Sequence, residues 1–368
     1  MPISSPLTLT IGVAAPLSGL AADLGREMAN AIRLAIDDAN ASAEVPGVHL
    51  EAVVSDDRGD VTTGLSLANA FAARKDLIAV VGHYNSNVTL ETAPIYHRAE
   101  LALISPIVSN RRLTESGWTN VFRFTNRDDC TAAAIAAQLV ERFGKRRAVV
   151  VETRTTYGSS MSEAFARAFA HAGGQVLRRH AVDEGEKDFR ALVAQLPRDM
   201  DVVFYGGTFE GAPLLKALRS EDRMQLLATG DGCWDRLNFL LPAGAAATSG
   251  EGVLVLSACP EAGYVEGSQA FCERYAERFG PVGNYAVNSY DAALTLIAAL
   301  ALALATSSSE AGLPERGAVV RALRSVKRQG IAYPQPVQWD KHGDNTAAVT
   351  ALHVVQDGRF VQVAVVPK

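Results

Sequence analysis

Cysteine is scarce in this chain, and so is charge of a single sign. Its 368 residues include four cysteines, Cys130, Cys233, Cys259 and Cys272, with neither C-x-x-C spacing nor regular intervals. That disfavours metal knuckles and a dense disulfide framework alike, while leaving one disulfide open. The formal net charge is −5 and the Lys and Arg residues are scattered among acids, so no basic face is available for phosphate backbones and no nucleic-acid partner is expected. Nor does a basic helix-turn-helix precede the first strand. The longest apolar run, 294–305, is short for a bilayer and rich in Ala and Leu, the pattern of a buried core helix, so no direct membrane insertion is expected. There is no G-x-x-x-x-G-K-S/T loop, no G-x-G-x-x-G after the first strand, no G-x-S-x-G elbow and no H-E-x-x-H pair. The common nucleotide, hydrolase and zinc signatures are therefore missing, and the expectation is a protein that is not an enzyme and holds no cofactor or metal. His83 has no His, Cys or acid at ligand spacing and reads as structural. Residues 1–8 carry neither a basic nor an apolar secretory segment, so either the chain stays in the cytoplasm or a signal peptide lies outside this sequence.

With 48% hydrophobic and 20% charged residues, the chain is too long for one simple core, and two domains are expected. Apolar runs alternate with amphipathic segments from the start, as in a parallel sheet covered by helices. Strands are expected over 9–14, 48–54, 77–81 and 101–104, with helices over 25–41 and 61–74. The period then restarts with a helix over 130–143, a strand over 148–152, a helix over 160–172 and strands over 176–181, 202–205 and 226–229. Helices over 189–196 and 210–219 separate the later strands, and a strand over 253–256 follows. Three helices in succession, over 268–279, 285–305 and 314–327, then break the alternation before strands near Val337 and over 349–355 and 360–365.

The stretch 77–114 is the richest in chemistry. The first strand end runs into Gly82-His83-Tyr84-Asn85-Ser86 and a helix, and the second ends in Ser105-Pro106-Ile107-Val108-Ser109. Successive strand ends of a β-α-β unit face one edge of a parallel sheet, where such sheets bind ligands. Each end delivers a short hydroxyl residue there. Ser86 would also open a helix, whose unpaired N–H groups suit a carboxylate. By residue type alone, Ser86 and Ser109 equally fit ordinary cap or turn serines. In the same way Asp231, in Thr229-Gly230-Asp231-Gly232, fits a turn aspartate, and Tyr157, ahead of Gly158, a partly buried turn tyrosine.

Eight segments in order carry a resemblance: 12–25 (GVAAPLSGLAADLG), Asp56-Asp57, 81–86 (VGHYNS), 104–114 (ISPIVSNRRLT), Tyr157-Gly158, 185–189 (GEKDF), 201–207 (DVVFYGG) and 340–344 (DKHGD). Together they resemble the leucine/isoleucine/valine-binding family of type I periplasmic substrate-binding proteins, the solute-binding component of ABC transporters. The resemblance implies an α/β fold of two lobes, each a mostly parallel sheet flanked by helices, joined by three crossovers at a hinge. Lobe one would hold 1–126 plus 257–334, and lobe two 127–256 plus 335–368.

The resemblance further implies an extracytoplasmic, periplasmic protein that binds a small, mostly apolar amino acid between the lobes, closes on it and delivers it to a membrane permease. The alternative is a cytoplasmic ligand-sensing regulator of the same fold, taking an amide or small carboxylate. Ser86 and Ser109 match the carboxylate donors, and the Ile107 carbonyl and Asp231 match the ammonium acceptors. Tyr157 matches an aromatic that covers the ligand. Leu24, Tyr84 and Thr208 fall at side-chain-pocket positions, Tyr285 lies near another, and Asn85 belongs to the same ligand-binding segment. Some residues depart from the family pattern: Ile107 replaces a small residue, and Arg111-Arg112 stand where proline and acid are common. One of those guanidiniums would favour an acidic ligand, although adjacent arginines are usually solvated surface. The family's frequent disulfide would join a residue near Gly59 to the one at Asn85, and neither is cysteine here.

Overall fold

The computed structural model describes residues 6–306 and 313–366. The chain divides into two compact units, one of Met1–Thr125 with Ala262–Ala348, the other of Asn126–Glu261 with Val349–Lys368.

In the first unit five parallel strands, β1 (Leu7–Ala15), β2 (Val48–Asp56), β3 (Leu77–Gly82), β4 (Ala102–Ser105) and β5 (Val121–Arg123), lie in the order β2-β1-β3-β4-β5. β3 and β4 are buried along their whole length, which explains why they read as unbroken apolar runs rather than alternating ones. Helices Ala22–Ala41, Val61–Ala73 and Ser86–Arg98 connect the first strands. The helix Ala286–Ala305 packs on Ala22–Ala41, and together with Arg316–Ser325 it also packs on β3 and β4. Arg316 pins this returning segment by donating to the carbonyls of Ala72, Arg74, Leu77 and Ala99. The helix Ala286–Ala305 is long and apolar enough to pass as a membrane span, with a mean hydropathy of 1.6, but 72% of that window is buried in the protein. It also carries a buried Asp291, which accepts from Arg328 and from the N–H groups of Ile331 and Ala332. This is a core helix.

The second unit repeats the same winding. β6 (Arg147–Thr153), β7 (Gln175–Val182), β8 (Val202–Gly206), β9 (Leu226–Thr229) and β10 (Val253–Ser257) are parallel in the order β7-β6-β8-β9-β10. β11 (Thr350–Gln356) and β12 (Arg359–Val366) then extend the sheet as an antiparallel hairpin beside β10. Its core centres on Phe165, stacked 3.8 Å from Phe204 and 5.1 Å from Phe169.

Three expectations need correction. Residues 335–348, expected with the second lobe, fall in the first unit, and 257–261, expected with the first lobe, fall in the second, so the divisions lie after Glu261 and Ala348. For 335–348 the reason is local pairing, since Val337 bridges Arg328, and Asp344 bridges and ion-pairs with Arg123. Val337 accordingly makes an isolated bridge and not a strand. The helix expected from residue 160 begins at Thr156, because the Thr155 hydroxyl caps it by accepting from the Gly158 N–H at 3.0 Å. No disulfide joins the four cysteines.

Candidate ligand-binding site

In a doubly wound sheet the strand order reverses beside the first strand, and loops leaving the carboxyl ends there diverge to leave a crevice. In the first unit those ends belong to β1, β3 and β4, and the expected residues follow them. Leu24 lies in the first turn of the helix after β1, and Tyr84, Asn85 and Ser86 follow β3. Ile107 and Ser109 lie in the loop after β4.

Ser86 is the first residue of its helix and is 7% exposed, while Ser109 is 3% exposed. Neither hydroxyl has a hydrogen-bond partner among the described residues, and neither does the carbonyl of Ile107. Asn85, the residue before the helix, makes no side-chain cap. First-turn N–H groups have no partner within a helix, so this helix start is an uncapped donor cluster beside the hydroxyl of a largely buried serine. Asn85 instead turns its Oδ1 towards Gly59, where an added Cβ would lie 3.0 Å away. Tyr84 and Tyr285 meet edge to face, with ring centroids 6.4 Å apart. The Tyr285 N–H is anchored on Glu27 Oε1 at 2.6 Å, one turn along the helix from Leu24.

His83 is fully buried, with Nδ1 2.6 Å from Asp57 Oδ2 and Nε2 3.0 Å from the Tyr96 hydroxyl. Both nitrogens are used within the core, so this histidine braces the strand end. Arg111 and Arg112 are exposed, and Arg111 lies 3.9 Å from Glu115.

The second unit gathers its own set at the matching strand ends. Tyr157, Thr208 and Asp231 follow β6, β8 and β9, which are adjacent in the sheet. The Tyr157 hydroxyl donates to Asp231 Oδ1 at 2.8 Å and accepts from the Gly232 N–H at 3.0 Å. Asp231 is 5% exposed. Burial first, and then the carboxylates of Asp231 and Asp128, hold the Tyr157 phenol well above its usual range, so it stays a neutral donor. Gly232 is required by close approach: a Cβ there would lie 2.3 Å from the Gly207 carbonyl oxygen, 2.8 Å from the Tyr157 ring and 3.1 Å from Thr208. These contacts draw Tyr157, Thr208 and Asp231 into one cluster. Beneath it, buried Glu210 accepts from the Tyr205 hydroxyl at 2.9 Å and the Gly185 N–H at 2.7 Å.

Sequence reasoning missed Arg123 and Asp344. Arg123 is fully buried at the end of β5, and its Nε donates to Asp344 Oδ1 at 2.7 Å. A charged residue interrupting the apolar run Val121-Phe122-Arg123-Phe124 was the available signal.

Known proteins agree with this architecture. The family profile described as periplasmic binding protein matches residues 8–363. The chain belongs to the periplasmic binding protein family. Within that family a Leu/Ile/Val-binding protein of Rhizobium johnstonii is 28% identical over 356 residues, covering 96% of this chain and 93% of its own. A solved ABC transporter substrate-binding protein from Desulfitobacterium hafniense, in complex with Leu, is 28% identical, with a TM-score of 0.80 over 97% of this chain and all (100%) of that one. A leucine-binding protein of Thermotoga maritima shares the fold, with a TM-score of 0.87 at 23% identity over 98% and 99% of the two chains. This periplasmic binding protein thus sits in a family of solute-binding rather than catalytic proteins.

Proposed function

We propose that the chain is the solute-binding component of an ABC transporter and captures a small aliphatic α-amino acid for delivery to a membrane permease, acting in the periplasm. The observation that carries this reading is the set of unpartnered groups, among the described residues, on largely buried residues of the first unit. Two serine hydroxyls and an uncapped helix start supply donors for a carboxylate, and the Ile107 carbonyl supplies an acceptor for an ammonium. Burying a zwitterion requires both of its charges to be paired. In the proposed complex Ser86 and Ser109 hold the carboxylate. Ile107 and the second unit's Asp231 hold the ammonium, with Tyr157 orienting the Asp231 carboxylate. Leu24, Tyr84, Tyr285 and Thr208 contact the ligand side chain. No unpaired cation stands among those four, and the exposed positions of Arg111 and Arg112 argue against an acidic ligand. The Leu/Ile/Val-binding relative and the leucine-bound neighbour support the same ligand class.

A thermal-shift screen of the purified protein against the standard amino acids, simple carboxylates and primary amides tests the reading. A ligand that binds only the folded state at a hundred times its Kd adds ~2.7 kcal/mol of stability. The expected result is a shift with leucine, isoleucine or valine and none with the amides. A response confined to amides or to carboxylates lacking an amino group would refute it.

A further inference from the structure

We propose that Arg123 is a positioning residue for ligand binding: its buried guanidinium shapes the loop after β4 so that Ser109 and the Ile107 carbonyl meet the ligand. The inference rests on the assignment of those two residues as ligand contacts and adds the device that holds them.

A guanidinium inside a sheet end is a costly choice, because desolvating an ion pair often outweighs its attraction, and an apolar side chain would serve stability as well or better. Arg123 is fully buried and Asp344 is 3% exposed. The position therefore calls for a reason beyond folding. Its hydrogen bonds supply one. Nη1 donates to the carbonyl of Asn110 at 2.6 Å and more weakly to that of Val108 at 3.4 Å, while Nη2 reaches the Arg111 carbonyl at 3.4 Å. These carbonyls belong to the residues on either side of Ser109 and to the one that follows. Nη2 also donates to the Thr114 hydroxyl, which in turn donates to the same Asp344 oxygen that accepts from Nε.

The loop has no regular structure of its own. It forms no strand or helix between Ser105 and Arg112. Its local bonds lie at the ends, Val108 N–H to the Ser105 hydroxyl at 3.2 Å, Arg112 N–H to Asn110 Oδ1 at 3.0 Å and Leu113 N–H to the Asn110 carbonyl at 3.1 Å. Arg123 engages the carbonyls of Val108 and Asn110 but not those of Ile107 and Ser109, and the Ser109 hydroxyl keeps no partner among the described residues. The rigid fork is thus spent on the flanking residues, and the groups between them stay available. Lysine, a point donor on a flexible stem, lacks the planar geometry to hold several carbonyls at once.

The test is a double-mutant cycle on the full chain, with leucine as ligand and Kd read by calorimetry. Ser109→Ala and Arg123→Lys are each expected to weaken binding by about 10- to 100-fold, the scale of a lost hydrogen bond to a charged group. Because Arg123 acts through Ser109, the double variant should lose no more than about threefold beyond the weaker-binding single variant. Arg123→Lys that melts earlier but keeps its Kd within twofold would overturn the proposal and leave a merely structural role, as would losses that multiply in the double variant. Unchanged binding in Ser109→Ala would instead overturn the binding-site reading, and the proposal with it. Should Arg123→Lys fail to fold, Thr114→Val replaces it: a several-fold loss of affinity at an unchanged melting temperature supports the proposal, and an unchanged Kd overturns it.

Discussion

Replacing Asp231 with alanine separates the amino group of a ligand from the rest of it. Asp231 is 5% exposed, and Oδ1 already accepts from the neutral Tyr157 hydroxyl at 2.8 Å. In the proposed complex the ligand ammonium sits against this buried carboxylate as a hydrogen-bonded charge partner. Truncating one partner of a buried, hydrogen-bonded charge pair costs about 2 to 5 kcal/mol, so Asp231→Ala should weaken leucine binding roughly 30-fold to several thousandfold. The desamino analogue, 4-methylpentanoate, behaves differently. It has no ammonium to offer Asp231, so the alanine variant should change its affinity far less than that of leucine. Calorimetric titration of both ligands into both proteins reads the difference directly. Tyr157→Phe should fall between, at about tenfold for leucine, through loss of one hydrogen bond to a charged group. Equal losses for leucine and 4-methylpentanoate in Asp231→Ala would refute the assignment.

Ser86→Ala should weaken leucine binding by about 1.5 to 3 kcal/mol, and unchanged affinity in a calorimetric titration would remove Ser86 from the site. Gly232→Ala should lower stability by about 1 to 3 kcal/mol through overpacking against the Gly207 carbonyl and Tyr157, and should weaken binding as Tyr157 shifts; denaturant melts and titration check both. His353 is fully buried with Nε2 2.9 Å from the Ser257 hydroxyl, and burial lowers its pKa from 6.5 to about 4. Between those values the unfolded chain takes up a proton that the folded chain refuses. The associated stability is therefore present above pH 6.5 and is lost as the pH falls to about 4, by on the order of 3 kcal/mol in all. His353→Gln should melt with a flatter acid limb, and identical slopes for the two proteins would contradict this.

Much of the fold was readable because its strands are short apolar runs and its helices carry regular apolar faces. β3 and β4, buried on both sides, announce themselves in 77–81 and 101–104. Residues 335–348 were harder, because they return to the first unit through an isolated bridge at Val337 and the Arg123–Asp344 pair, which leave no periodic signal. The helix start at Thr156 was missed because a threonine cap acts from outside the apolar repeat. Ser86, Ser109 and Asp231 are legible only through motif resemblance, since serine and aspartate at strand ends are too common to be informative by type. The hydrogen bond from Tyr157 to Asp231 joins residues 74 positions apart, and spacing alone does not foretell such a contact.

The interrupted course of the first unit sets an order of events during synthesis. Its sheet is encoded before Thr125, yet the helices Ala286–Ala305 and Arg316–Ser325 that pack on β3 and β4, and the Arg316 that ties off the carbonyls of Ala72, Arg74, Leu77 and Ala99, are translated only after the second unit's first segment ends at Glu261. A nascent chain stalled before that point has helices Val61–Ala73 and Ser86–Arg98 to cover β3 and β4 but leaves the face meant for the returning helices bare, the kind of apolar surface that chaperones bind and that aggregates when they do not.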